Sequence, residues 1–321
     1  MGKVLVTGID IGHYSMKAVV LRESKEQLEL MHFHELLMPE GIFADNHTLD
    51  HQSIVKKLAE LKRKLPWRYR NIAAAIPDGA VNSKMVQVAQ GLEGRELEFA
   101  IGQAFDFSLF ESAQPAGNST ITYQAYAARK EVVEGRLLAF KKSGLKAVTL
   151  DIHSNVMSSL WRLAVQRHAD KAHWMLVDIG HQHTALFHAL SREGGFFKDI
   201  PCGMKQIQAG LGREKQVMTV LTDNIKRQIT LHNSVHGDKS IEGIWLSGGG
   251  ANSPDLVEYL KAHCQVAVAV LSSLSLVTNT VKQSRKHQVS DHRHRDENIG
   301  YSTALGLAIT GLAWLKERRD D

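Results

Sequence analysis

The sequence is short of cysteine and proline and has no long apolar run, and each shortage removes a class of protein. Cys202 and Cys264 are its two cysteines. Secreted domains are often stapled by disulfide frameworks, and two isolated cysteines make none. Both are expected reduced, buried or half-buried. No Cys-x-x-Cys zinc pattern is present. No stretch of about 18 apolar residues occurs, so no membrane-spanning helix is expected. Met1 to Asp10 runs from a short apolar stretch into an Asp-x-Gly turn rather than a cleavage site, so a secretory leader is not expected. Residue 6 is Val, where N-myristoylation needs Ser or Thr. A Gly-x4-Gly-Lys-Ser/Thr loop is missing, which removes Walker-type NTPases, and no Gly-x-Ser-x-Gly elbow is present, although composition alone leaves a Ser/His/Asp triad open.

What remains is ordinary globular material. The 321 residues are 43% apolar and 23% charged, with a formal charge of +5. Length suggests roughly two domains of about 100–200 residues. The mild positive charge permits an acidic partner without demanding one. The densest basic patch, Lys62 to Arg70, interleaves cations with Trp67 and Tyr69. It reads better as the end of an amphipathic helix over 53–64, where cations meet the negative end of the helix dipole, than as a nucleic-acid surface.

Periodicity divides the chain. Val4–Ile9, Met16–Leu21 and Leu28–Leu37 read as strands of a meander, and Ile72–Ile76 as a buried strand. Residues 78–149 read as an inserted α/β unit, with strands over 81–89 and 120–128 and helices over 94–107 and 130–143, the last stopped by Gly144. Ala147–Ile152 reads as a strand and Asn155–His168 as a helix. Trp174–Ile179 and Thr184–Leu190 then repeat the strand, Asp-x-Gly turn, strand unit of residues 4–21. Gln206–Asn233 is mostly helical. Ile244–Ser247 runs into Gly248-Gly249-Gly250, followed by a helix with Ser253 as N-cap and Pro254 at its first position. Gln265–Val270 reads as a strand, 282–297 as a polar loop, and 298–318 as a closing helix.

The glycine turns carry the chemistry. Glycine lets backbone N–H groups approach an anion, and a carboxylate at a strand end suits the Mg2+ that accompanies phosphates. A glycine turn opening a capped helix can face a nucleoside through its backbone. His32/His34, His181/His183 and His292/His294 are His-x-His pairs, but seventeen histidines make chance pairs common and no metal site is expected.

Gly8-Ile9-Asp10-Ile11-Gly12, Val177-Asp178-Ile179-Gly180 with Thr184, and Leu246 to Gly250 resemble the two phosphate motifs and the adenosine motif of the actin/Hsp70/sugar-kinase superfamily. Asp151–Asn155 and Tyr301–Ala308 resemble its connecting segments. Closer still, Gly8–Leu21, Met38–Ile42, Ala75–Pro77, Ala127–Val133, Ser143–Lys146, Ile200–Gly203 and Ala304–Ala308 resemble the PilM family of type IV pilus assembly proteins, in particular its HofM branch, which is linked to pilus-like assembly and DNA uptake.

The resemblance implies an α/β, actin-like (ribonuclease H-like) two-lobe ATPase fold. Lobe 1 would span 1–77, rejoined by the helix 298–321. An FtsA-like 1C subdomain would occupy 78–149, and lobe 2 would span 150–297 with a shortened 2B subdomain near 204–240. It implies ATP with Mg2+ contacted by Asp10, Gly12, Ser15, Lys17, Asp178, Gly180, Thr184, Gly248, Gly249 and Gly250, the metal near Asp10 and Asp178. It implies a partner too: the N-terminal cytoplasmic tail of a PilN-like bitopic inner-membrane protein, alongside other inner-membrane pilus-assembly components. Val81, Ser83, Met85, Val86, Leu97, Ile101 and Phe105 are the expected groove walls. The chain would then be cytoplasmic and peripheral at the inner membrane, with no direct nucleic-acid contact.

The sequence departs from the family pattern at the phosphate turns. His13-Tyr14-Ser15 and His181-Gln182-His183 bring bulk where small hydroxyl residues are usual, Cys202-Gly203 replaces a Gly-Gly, and the stretch from Met204 to Ile244 is short. The expectation is a nucleotide clamp retained as architecture, with the insert as the working surface and no assigned catalytic residue. Two alternatives stay open: a small-molecule kinase of the same fold, which would need a general base and a roomy second lobe, and an FtsA-like membrane filament, which would need an amphipathic tail.

Overall fold

A computed structural model describes residues 4–25, 27–44, 48–102, 113–116, 120–189, 195–237, 240–281 and 299–320. Two sheets face each other across a pair of helices. The first contains β1 (Leu5–Ile11), β2 (Ser15–Ser24), β3 (Gln27–Leu37), β4 (Asn71–Ile76), β8 (Lys146–Ile152) and the two-residue β14 (Thr278–Asn279), in the order β14-β3-β2-β1-β4-β8. The second contains β9 (Trp174–Ile179), β10 (Thr184–Ala189), β11 (Gly195–Ile200), β12 (Gly243–Ser247) and β13 (Ala267–Val270), in the order β11-β10-β9-β12-β13. Leaving out β14, the two orders are the same. In each, an antiparallel meander of three strands is extended by two parallel strands on the far side of the first. This duplicated topology is the actin-like fold that the motifs implied.

Alternation along the strands explains the layers. On β9, Leu176 turns to one face, where α4 (His153–Arg167) and α8 (Ser302–Asp320) lie, and Met175, Val177 and Ile179 turn to the other, against α6 (Glu214–Val235) and α7 (Pro254–His263). In the first sheet Val6 joins the α4/α8 layer and Ile9 packs toward α1 (His51–Lys64) and α3 (Lys130–Ser143). The helix pair α4/α8 therefore belongs to both lobes at once. Each fully buried aliphatic chain stabilises by about 1.5–3 kcal/mol. Exposed pairs such as Lys261–Glu258 at 2.9 Å contribute about 0–1 kcal/mol, so packing dominates.

Local signals set the element ends. Asp50 accepts a 2.8 Å bond from the Ser53 amide and starts α1 two residues earlier than the apolar spacing suggested. Gly144 stops α3 with φ of +75°, as its position implied. Ser253 precedes Pro254 at the start of α7, but its hydroxyl makes no capping bond. The short α5 (Met204–Gln208) precedes α6.

The insert is smaller than the expected 78–149. Its sheet is β5 (Val81–Ala89), β7 (Thr120–Ala128) and β6 (Ala113–Ala116), with α2 (Gly94–Gly102) beside it. Residues 130–152 belong to the first lobe: β8 pairs in parallel with β4, and Ala139 and Phe140 of α3 pack with Ile54, Leu58 and Leu61 of α1. Strand pairing decides lobe membership, and local periodicity does not report pairing. The segment 282–297 and the helix tail expected over 103–107 lie outside the described residues. No helix among the described residues is long and apolar enough to cross a membrane.

Candidate functional site

The two Asp-x-Gly turns face each other and share one geometry. Gly12 donates its amide to Ser15 O at 3.1 Å, and Gly180 donates to His183 O at 2.8 Å. A Cβ on either glycine would meet that same carbonyl oxygen, at 2.8 and 2.9 Å. Register makes the residues correspond: Asp10 lies opposite Lys17, and Asp178 opposite Ala185. Ser15 thus matches His183, while Thr184 matches Met16. Thr184 is fully buried and donates to Cys202 O at 2.7 Å. It ties the second hairpin to the 200–203 segment and is not a free hydroxyl at a phosphate turn.

The three glycines after β12 divide by role. Gly248 has φ of +79°, and a Cβ there would stand 2.5 Å from Ile179 O. On Gly250 a Cβ would meet Ile179 Cγ2 at 2.4 Å, and on Gly249 it would meet nothing within 4 Å. Two glycines are therefore explained by packing on the end of β9, and Gly249 alone opens onto space. The preceding Ser247, fully buried, donates to Asp178 Oδ1 at 2.6 Å.

Charge is unevenly placed between the turns. Burial pushes the Asp10 carboxyl above its ordinary value; Lys17 and His153 oppose this, and Asp178 and Glu35 add to it. Lys17 Nζ lies 3.9 Å from Glu35 Oε1. Gly300, with φ of +91°, brings its backbone beside Lys17 Nζ and Gly248 O, where a Cβ would stand 3.5 and 3.6 Å away. His153, at the start of α4, reaches Thr303 Oγ1 of α8 at 3.5 Å.

The insert presents two unlike faces. Val86 and Leu97 are buried together with Val88, Tyr123 and Ala125, so they form its core rather than a groove wall. Val81, Ser83 and Met85 share the opposite face by strand alternation. Val81 packs beside Ile76, Ala80 and Val132 of the first lobe, and Met85 is 58% exposed. Tyr126, paired with Ser83, stands half-buried near Asp78 and Asp151, and burial raises its hydroxyl pKa, with those two carboxylates adding to the effect. Asp78 Oδ2 accepts from the Ser154 amide at 3.0 Å, which ties the foot of the insert to α4. Ile101 lies on α2, and Phe105 is outside the described residues.

The family profile described as "Type IV pilus assembly protein PilM" matches residues 8–213, more than half of the chain. The chain belongs to the PilM family of type IV pilus assembly proteins. A solved structure described as "PilM-PilN type IV pilus biogenesis complex" superposes with a TM-score of 0.75 at 20% identity, covering 97% of this chain and 99% of that one. The ethanolamine utilization protein EutJ from Carboxydothermus hydrogenoformans superposes at 0.48 with 16% identity, covering 96% and 90%. No curated protein sequence matches.

Actin-like folds of the PilM kind imply ATP with Mg2+, and the side chains at the turns bear on the fit. His13 stacks on Phe43, ring centroids 4.0 Å apart, and faces His183 at 6.2 Å across the gap between the turns. Tyr14 faces His181 at 5.5 Å. These are the separations of directly packed aromatic pairs, and a phosphate between them would have to displace the rings. Asp178 already accepts from Ser247 through one oxygen. As the rings stand, the turns do not fit nucleotide phosphates.

Of the residues implied for nucleotide, Asp10, Gly12, Lys17, Asp178, Gly180, Gly248 and Gly249 meet around the gap; Ser15 is buried in β2 and Gly250 is buried against β9. Sequence reasoning missed Asp199, whose Oδ2 lies 3.0 Å from His183 Nδ1, and Gly300. Asp199 comes from β11 by strand pairing and carries no local signal. Gly300 sits just before a recognisable connecting segment, which was the available hint.

Proposed function

We propose that this PilM-family chain is a scaffold of a type IV pilus-like assembly or DNA-uptake apparatus, of the HofM kind, that holds the cytoplasmic N-terminal tail of a PilN-like bitopic inner-membrane protein. It works in the cytoplasm, peripheral at the inner membrane through that partner, and touches no nucleic acid directly. The observation that carries this reading is the insert face of Val81, Ser83 and Met85. It leaves a large apolar side chain in water while its foot is anchored in the first lobe. Exposed apolar surface rimmed by polar residues marks interaction sites, and methionine adapts to varied apolar side chains. The relative solved as a PilM-PilN complex supports the choice of partner.

The test is calorimetry with a synthetic peptide of the tail of the PilN-like protein that co-purifies with this chain. Binding is expected, and Met85→Asp is expected to weaken it at least tenfold, about 1.4 kcal/mol, with the fold intact. Val86→Asp should instead unfold the insert, because Val86 is buried against Leu97. Absence of binding, or a Met85→Asp variant that binds as well as the parent, would sink the reading.

A further inference from the structure

We infer that His13, Tyr14, His181 and His183 form a side-chain latch that joins the two lobes at the place where nucleotide phosphates would otherwise bridge them, so that lobe closure in this chain needs no ATP. Three observations carry it. First, the turns are equivalent hairpins, each held by its own glycine amide, so their backbones stand ready to flank a common ligand. Second, the residues that follow the glycines reach across the gap: Tyr14 to His181 at 5.5 Å and His13 to His183 at 6.2 Å. Third, both outer rings are braced from behind. Phe43 stacks on His13 at 4.0 Å, and Asp199 lies 3.0 Å from His183 Nδ1.

A latch differs from crowding in having supports on both sides. His13 is held flat by Phe43, which belongs to the first lobe, and His183 is oriented by Asp199 of the second. The outer ring of each half is thus supported from within its own lobe. Pre-fixed side chains lose little freedom on contact, which favours a closed state without a ligand. Behind the rings, Asp10 is buried, and Asp178 is engaged by Ser247. A phosphate group would therefore compete with ring packing in front.

The experiment measures the distance between the lobes. Nitroxide labels go on Lys64→Cys in the first lobe and Glu258→Cys in the second, both exposed, in the full chain carrying Cys202→Ser and Cys264→Ala. Pulsed electron resonance is recorded with and without ATP and Mg2+. The inference expects one narrow distance, unchanged by ATP–Mg2+, and no thermal shift with the nucleotide. Tyr14→Phe, which keeps the ring, should match the parent. The double variant His13→Ser/Tyr14→Ser should give a longer, broader distribution. If that variant also gains a response to ATP–Mg2+, the rings are what exclude phosphate, as inferred. Saturable ATP–Mg2+ binding by the parent chain that shortens the distance would overturn the inference. So would a serine double variant, folded by circular dichroism, whose distance matches the parent.

Discussion

The two hairpins that end in Asp10-x-Gly12 and Asp178-x-Gly180 have nearly the same backbone and different surroundings. In the first, a lysine lies opposite the aspartate; in the second, an alanine does. Asp178 is held instead by Ser247, from a different strand. The helix contact differs as well. Gly8, two residues before Asp10, lets α8 lie directly on β1, for a Cβ there would stand 2.0 Å from Ala304 O and 2.5 Å from Ala308 N. The matching residue of the second hairpin is Leu176, which packs into the α4/α8 layer with a full side chain. A duplicated backbone thus preserves the fold while side chains diverge in packing and charge. The fold is set by turn geometry and strand order, and the chemistry by what stands around them.

The largest effects should come from the helix contacts. Gly8→Ala must push α8 off β1 through backbone atoms that cannot swing aside, and should cost about 3 kcal/mol, read from urea unfolding. Leu176→Ala, at the matching place, leaves a cavity instead and should cost about 2–5 kcal/mol. If Gly8→Ala proved nearly neutral, the close approach of α8 would not be a constraint on the first lobe. Ser247→Ala removes a buried bond to Asp178 and should cost about 1.5–3 kcal/mol, without disturbing the first turn.

Tyr14→Ser and His13→Ser should each cost about 0.5–1.5 kcal/mol. A double-mutant cycle of Tyr14 with His181 should show coupling that Tyr14→Phe retains. Additive effects would break the comparison between the turns as a contact across the gap.

The smallest effects are in titration. Burial holds the Asp10 carboxyl above its ordinary value. A group whose folded pKa is raised contributes stability below its unfolded pKa and loses it as pH rises through the folded one. Asp10→Asn should therefore narrow the loss of stability between acid and neutral pH, measured by unfolding at a series of pH values. His183 is raised by its bond to Asp199, with burial opposing. The same sign applies: its contribution is present below the usual histidine range and fades as pH rises past the raised value. His183 is partly exposed, so its share of the stability change should be well under 1 kcal/mol. Asp199→Asn should move the His183 titration down by NMR; an unmoved titration would show that the second turn lacks its brace.

Much of the plan was legible in the residues. Asp10-x-Gly12, Asp178-x-Gly180 and Gly248 to Gly250 stand where the strand ends and glycine turns placed them, because Asp-x-Gly after an apolar run is a local signal and turn geometry is a local property. Gly144 ended α3 for the same reason. Val86 and Leu97 were expected in a groove and lie in a core, since the inner face of a strand or of a helix is known only once its packing partner is known. The boundary of the insert moved from 149 to before 130 on the pairing of β8 with β4, a contact across about seventy residues that no window of sequence contains.

What the sequence determined by itself was the duplicated hairpin, the glycine turns and the helices that alternate with them, all set by periodicity and backbone freedom over a few residues. The tertiary structure alone decided which lobe owns α3 and β8, that Ser247 engages Asp178, that Asp199 stands beside His183, and that four rings meet between the turns. Those are contacts between segments far apart in the chain, and their geometry follows from how two lobes pack on α4 and α8 rather than from any local preference.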